Sequence, residues 1–194
     1  WENEFVIEHF AAFVRKTVEA LMSYCNLWVT INEPNVFVFG GYIEGLFPPG
    51  KQDLNVAMTV MQNMIRAHAR AYSVIHELQP DARVGTAIHY RGFEPASWLP
   101  WNHWAAKAYH ILFNDMFPRA MKDGVFNAII RRERISEAIG TQDFLGLNYY
   151  TTDKLRLNPF AREEMFTDRF FPNDAIISET GFIANIPEGM AKAV

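Results

Sequence analysis

Apolar positions three and four residues apart open the chain. Phe10, Phe13, Val14, Thr17, Val18 and Leu21 share one face of a helix predicted over residues 5–22. The pattern then shortens, and Leu27 to Ile31 is apolar and β-prone, which predicts a buried strand. Asn32-Glu33-Pro34 ends that strand, because proline has no donor for a sheet ladder and restricts the residue before it. The stretch from Gly40-Gly41 through Pro48-Pro49-Gly50 reads as a loop. A second helix is predicted from an N-cap at Asp53 to about Gln79, with Leu54, Met58, Met61, Ile65, His68, Tyr72 and Ile75 along one face. Arg83–His89 and Asp143–Tyr150 are further predicted strands. Trp101–Phe117 is a predicted helix stopped by Pro118, and Pro187 sits at an early position of a last one.

Strands alternating with long amphipathic helices predict parallel βαβ units. Three clear strands fall short of the eight in a closed barrel, so the pattern fits either a small open α/β domain or a piece of something larger. No repeat, linker or low-complexity tract divides the chain, and residues 1–194 are expected to form a single domain. Hydrophobic residues at 49% and charged residues at 21% supply a core and argue against disorder. The 18 basic and 22 acidic residues are interspersed without a basic stripe, which argues against nucleic acid as a partner. Cys25 is the only cysteine, so an internal disulfide is excluded and the balance leans toward a reducing, cytoplasmic compartment. No apolar run reaches the roughly 20 residues of a membrane span. Trp1 is not a natural start residue, so the absence of a secretory signal says little and the natural N-terminus is expected upstream.

A carboxylic acid at the C-terminal end of a buried parallel strand is where α/β barrels carry their catalysts, and this makes Glu33 the first candidate. Pocket walls at such a place can keep a proton on a carboxyl group at neutral pH, as a general acid requires. Neighbouring strand residues face opposite ways, so Asn32 and Glu33 share a cleft only if the strand ends irregularly. Pro34 supplies a reason for that. From the tripeptide alone, a solvated glutamate in a turn is an equally good reading.

The surroundings change that balance. Thr30-Ile-Asn-Glu-Pro34 is followed by Gly41-Tyr42, Gly45 and Pro48-Pro49-Gly50, then by Arg66-Ala-His-Ala-Arg-Ala-Tyr72 and Asp143-Phe-Leu-Gly-Leu-Asn-Tyr-Tyr-Thr151. In motif, order and spacing these stretches resemble glycoside hydrolase family 1. The resemblance implies an α/β fold, a (β/α)8 TIM barrel of which the chain covers about strands four to six and their flanking helices. It implies a retaining β-glycosidase acting on β-glucosides or β-galactosides, a small carbohydrate as the binding partner, and no metal or organic cofactor. By position, Glu33 matches the acid/base and Asn32 the residue that hydrogen-bonds the sugar 2-OH. Tyr150 matches the tyrosine that steadies the nucleophilic carboxylate, and Asn148 lines the same pocket.

Retaining hydrolysis needs a second carboxylate. Ile176-Ile-Ser-Glu-Thr-Gly181 resembles the family's nucleophile motif in part, but Thr180 stands where asparagine is expected and the apolar stretch before Glu179 is short. Gly181-Phe182 with Pro187-Glu-Gly-Met190 resembles instead the segment leading into the helix before the nucleophile strand. On that alignment Glu179 is a loop residue, the nucleophile lies beyond Val194, and the chain by itself is expected to be inactive. Its open barrel edges predict self-association. Two other readings stay open. One is a non-catalytic carbohydrate-binding or scaffold protein on a degenerate barrel; the other is a compact hydrolase in which Glu179 is the nucleophile.

Among the remaining candidates, His68 is read as a satisfied core histidine, and His89 either lines the cleft or packs. His103 and His110 lack metal spacing. Trp98, Trp101 and Trp104 are expected to bury the start of their helix, and Arg131–Arg134 to be a solvated charge run.

Overall fold

The computed structural model describes residues 1–129, 131–162 and 165–193. Packing divides them into two compact units, residues 1–88 with 116–147, and residues 89–115 with 148–194.

In the first unit, helix α1 (Phe5–Leu21) lies against the 25-residue helix α3 (Leu54–Leu78). Ala11, Val14 and Val18 interlock with Ala71, Val74 and Ile75, and Ala82 and Val84 complete the cluster. Val18 and Ile75 are 1% exposed, and each such side chain stabilises the unit by roughly 1.5–3 kcal/mol. Phe13 and Leu21, expected on the packed face, are exposed instead. The start of α3 follows from its cap: the Asp53 carboxylate accepts the N–H groups of Asn55 at 2.9 Å and Val56 at 3.1 Å.

Strand β1 (Leu27–Asn32) pairs in parallel with the start of β2 (Arg83–Pro95), and the start of β5 (Phe144–Leu157) comes next in the order. The expected parallel βαβ unit is therefore present as β1-α3-β2. The strand is less buried than its composition predicts: Leu27 and Val29 are 58% and 49% exposed, alternating with the half-buried Trp28 and Thr30. Gly85 on β2 is set by close strand approach: a Cβ there would stand 2.2 Å from the Phe144 carbonyl oxygen.

Two stretches depart from the predicted elements. Helix α2 (Pro34–Val38) continues into a π-helical turn, Phe39–Ile43, where the sequence suggests a loop. The following segment folds back over it and satisfies its carbonyls, with Leu46 and Phe47 N–H donating to Gly40, Lys51 to Gly41 and Asp53 to Tyr42. Gly40 lets the Phe47 ring lie close against the helix, since a Cβ there would stand 2.3 Å from that ring and displace it. Likewise Pro118 does not stop the Trp101 helix. Helix α4 (Pro100–Tyr109) passes through a π-segment, His110–Asp115, into α5 (Met116–Asp123), which contains Pro118. The wider turn changes the register ahead of the proline, so its missing N–H breaks no regular α-helical ladder.

The charge run is also more than solvated surface. Arg132–Arg134 forms β4, paired antiparallel with β3 (Val125–Asn127). Arg131 donates to Gln62 at 3.1 Å, and Glu133 receives Arg66 and Gln62, so alternate residues of the run reach back to α3.

In the second unit, the end of β5 forms an antiparallel hairpin with β6 (Thr167–Phe170), and a small hairpin of β7 (Ile176–Ile177) and β8 (Ala184–Asn185) precedes α6 (Glu188–Ala193). Helix α4 buries Asn102, Ala105, Ala106 and Tyr109. The opposite face carries Trp101 and Trp104, which are exposed, as is Trp98 before the helix. These tryptophans therefore do not bury the helix start. Asn102 fixes that start instead, accepting from Leu157 N–H at 2.9 Å and donating to Ser97 at 2.8 Å. Among the described residues no helix is long and apolar enough to cross a membrane.

Candidate active site

The end of β1 is irregular in a specific way. Val29 is opposite Gly85 and Asn32 is opposite Ala87, so Thr30 and Ile31 together face the single residue Thr86. This one-residue bulge ends at Ile31, two positions before the candidate acid. Bulges re-aim side chains next to active sites. Glu33 then adopts φ 49° and ψ 54°, the left-handed region that non-glycine residues seldom enter. Its backbone N–H donates to Ala87 at 2.7 Å, and Pro34 starts α2 at a position where no N–H is needed. Asn32 is exposed and Glu33 half-buried. The sequence asked for an irregular strand end; the bulge and the left-handed residue are that irregularity.

Further contacts anchor the strands along their length, from the start of β1 and β2 to Thr30. Trp28 Nε1 donates to Gln79 at the end of α3, 2.9 Å away. Asp143 accepts the Val84 N–H at 2.7 Å and the Tyr72 hydroxyl at 2.8 Å, fixing β2 to the residue that opens the third motif. His68, 0% exposed, lies 2.6 Å from the Thr30 hydroxyl through Nδ1 and 2.7 Å from the Thr141 carbonyl through Nε2. It is the satisfied core histidine that the sequence suggests.

Burial pushes the His68 pKa down to about 4, against the pull of the Thr141 carbonyl toward the protonated form. The unfolded chain takes up a proton on His68 below about pH 6.5, whereas the folded chain does so only near pH 4. The stability this residue contributes is therefore complete above pH 6.5 and is lost as pH falls toward 4, by roughly 3 kcal/mol in all. Urea midpoints should fall across that window, and His68→Gln should flatten the fall. A midpoint that responds to pH identically in both proteins would contradict it.

Asn148 and Tyr150 lie in the second unit, on β5. Tyr150 is 44% exposed and meets the edge of the His89 ring at 4.8 Å; His89 in turn meets Phe113 at 5.4 Å. His89 thus packs against a candidate residue. Asn148 is half-buried. The intervening Tyr149 has a different task, its hydroxyl donating to the Ile186 carbonyl at 2.6 Å.

Glu179 is exposed in the turn between β7 and β8, where Gly181 N–H donates to the Ser178 carbonyl at 2.9 Å. That is the loop position expected of it. Sequence reasoning missed the Arg91–Asp153 ion pair beyond His89 and Tyr150, bidentate at 2.7 and 2.9 Å with Asp153 2% exposed. Its only signal is polar residues continuing strands that were expected to end. Among the described residues no group of three or more His, Cys, Asp or Glu side chains is placed to hold a metal ion.

The family model described as glycosyl hydrolase family 1 matches residues 1–172. β-Glucosidase A of Thermotoga maritima is 29% identical over 203 aligned positions, covering 98% of this chain and 44% of that protein. The 1,4-β-D-glucan glucohydrolase of Thermotoga neapolitana is 28% identical with similar coverage. The solved family 1 β-glucosidase of T. maritima superposes with a TM-score of 0.88, and the β-glycosidase of Pyrococcus horikoshii with 0.87 at 27% identity. In both, 44% of the solved chain is covered, so this chain spans less than half the length of the relatives it matches. Its α/β fold is that of part of their barrel. By motif, by strand arrangement and by family match, the chain belongs to glycosyl hydrolase family 1.

Proposed function

We propose that the chain carries the acid/base side of a retaining β-glycosidase site that hydrolyses β-glucosides or related sugars. The observation that carries this reading is Glu33: a half-buried glutamate, set by a bulge and a left-handed backbone, at the C-terminal end of a parallel strand. In this role the Glu33 carboxylic acid donates its proton to the glycosidic oxygen as the bond to the sugar breaks. The resulting carboxylate then accepts a proton from the water that releases the sugar from the nucleophile. Asn32 holds the sugar 2-OH. Tyr150 steadies the nucleophilic carboxylate, and Asn148 lines the pocket.

The relatives lend support: the T. maritima family 1 glycoside hydrolase is described in complex with a cyclophellitol-analogue transition-state mimic. The second carboxylate of a retaining site stands about 5–5.5 Å from the first. Exposed in its hairpin turn, Glu179 is not proposed for that role.

The test is the anomeric form of the first product, followed by proton NMR during hydrolysis of an aryl β-glucoside by the full-length protein. Retention gives β-glucose first, later equilibrating to the mixture. The α-anomer first would overturn the retaining assignment, and sugar binding without turnover would favour a non-catalytic scaffold.

A further inference from the structure

We propose that His68 is a positioning residue for Glu33: a neutral imidazole that locks the β1 bulge through the Thr30 hydroxyl and so sets the direction of the acid/base. The proposal rests on the reading of Glu33 as the acid/base and goes one layer behind it.

The argument starts from hydrogen-bond chemistry. The Thr141 carbonyl can only accept, so at 2.7 Å it requires a proton on His68 Nε2. In a neutral ring Nδ1 is then a bare acceptor, and the Thr30 hydroxyl 2.6 Å away must be its donor. The Thr30 hydroxyl also lies 3.4 Å from the Gly85 carbonyl. It has one proton, and the shorter contact is to His68. Burial at 0% exposure keeps the ring in this one form, and the Phe117 ring 5.9 Å away closes it off.

Thr30 is one of the two bulged residues, three positions before Glu33. A left-handed glutamate persists only where its surroundings leave the backbone no alternative. The Glu33 N–H bond to Ala87 fixes one side of the bulge. The His68–Thr30 contact fixes the other and ties it through Thr141 to the residues leading into β5. If the bulge slipped by one residue, Asn32 and Glu33 would exchange faces.

The experiment compares Thr30→Val, which keeps the shape and removes the hydroxyl, with Thr30→Ser, which restores it, in the full-length protein. With Thr30→Val, kcat on an alkyl β-glucoside should fall about 10- to 100-fold with KM little changed, the scale of a small misplacement of a catalytic group. On a dinitrophenyl β-glucoside, whose leaving group needs no proton, the glycosylation step should fall much less. Thr30→Ser should recover most of the loss. Equal losses on both substrates, or no recovery with serine, would reduce His68 to a packing residue and overturn the proposal. Glu33→Gln is run beside them. If it shows the leaving-group split and Thr30→Val does not, only the His68 inference fails; if neither shows it, the acid/base reading fails first. Nitrogen NMR of the unmodified protein gives a check that needs no variant to fold. His68 should show a protonated Nε2 and bare Nδ1 at neutral pH, and a charged ring or the opposite tautomer would overturn the lock.

Discussion

Glu33→Gln in the full-length protein is expected to lower kcat on alkyl β-glucosides by about 10²–10⁴-fold, the usual contribution of a positioned acid or base. The amide keeps the size and the left-handed backbone of Glu33, so the loss isolates the proton. Both chemical steps use that proton, but not equally for every substrate. A dinitrophenolate departs without assistance, so sugar still reaches the nucleophile; release then stalls because no base activates water. With that substrate kcat and KM should therefore fall together as the covalent intermediate accumulates. Added azide needs no deprotonation to attack the intermediate, and should restore kcat while diverting product to the β-glycosyl azide. A loss of kcat/KM that is the same for good and poor leaving groups, or an absence of azide rescue, would remove Glu33 from the acid/base role. An unchanged kcat would remove it from the reaction.

How much of this was legible beforehand depends on where the information resides. Helices α1 and α3 could be read because an amphipathic period and an aspartate cap are local properties. Glu33 could be singled out from its motif and from its place after an apolar strand. The bulge that aims it could not, since Thr30 and Ile31 look like ordinary strand residues and the extra position exists only relative to Gly85 and Ala87. The Thr30–His68 bond joins residues 38 apart, and the period of α3 reports only that His68 is buried. The exposed tryptophans of α4 mislead for the converse reason. Apolar character argues for burial, but the face was decided by Asn102, Ala105 and Tyr109. Strands β2 and β5 run past their predicted ends because buried polar residues there find partners far along the chain, as Thr151 of β5 does with the Ala184 carbonyl at 3.1 Å.

The strongest of those partnerships carries the second large effect: Arg91→Met is expected to destabilise the chain by about 3–5 kcal/mol. Asp153 is 2% exposed and accepts two parallel guanidinium bonds, at 2.7 Å from Nε and 2.9 Å from Nη2. Removing the arginine strands a carboxylate where water cannot reach it, and that penalty exceeds the value of the intact pair. The Arg91 side chain itself retains 22% exposure, which places the expected cost toward the lower end of the range. The double change Arg91→Met with Asp153→Leu should recover most of the lost stability, because no charge is then left buried. Arg91→Lys should fall between, keeping the charge but not the planar fork. Urea denaturation of the four proteins decides the matter. If Arg91→Met costs less than about 1 kcal/mol, the pair behaves as a solvent-exposed one and its burial carries no energetic weight. The location adds a functional consequence. Arg91 follows His89 by two residues on β2, and Asp153 follows Tyr150 by three on β5. Asn114 grips the Arg91 backbone from both sides, donating to its carbonyl at 2.9 Å and accepting its N–H at 3.1 Å. The pair thus pins the strand ends on which Tyr150 and His89 meet. Variants that break it should raise KM for β-glucosides even at temperatures where they remain folded, and the double variant should not fully restore KM, since apolar packing replaces the energy of the fork but not its direction.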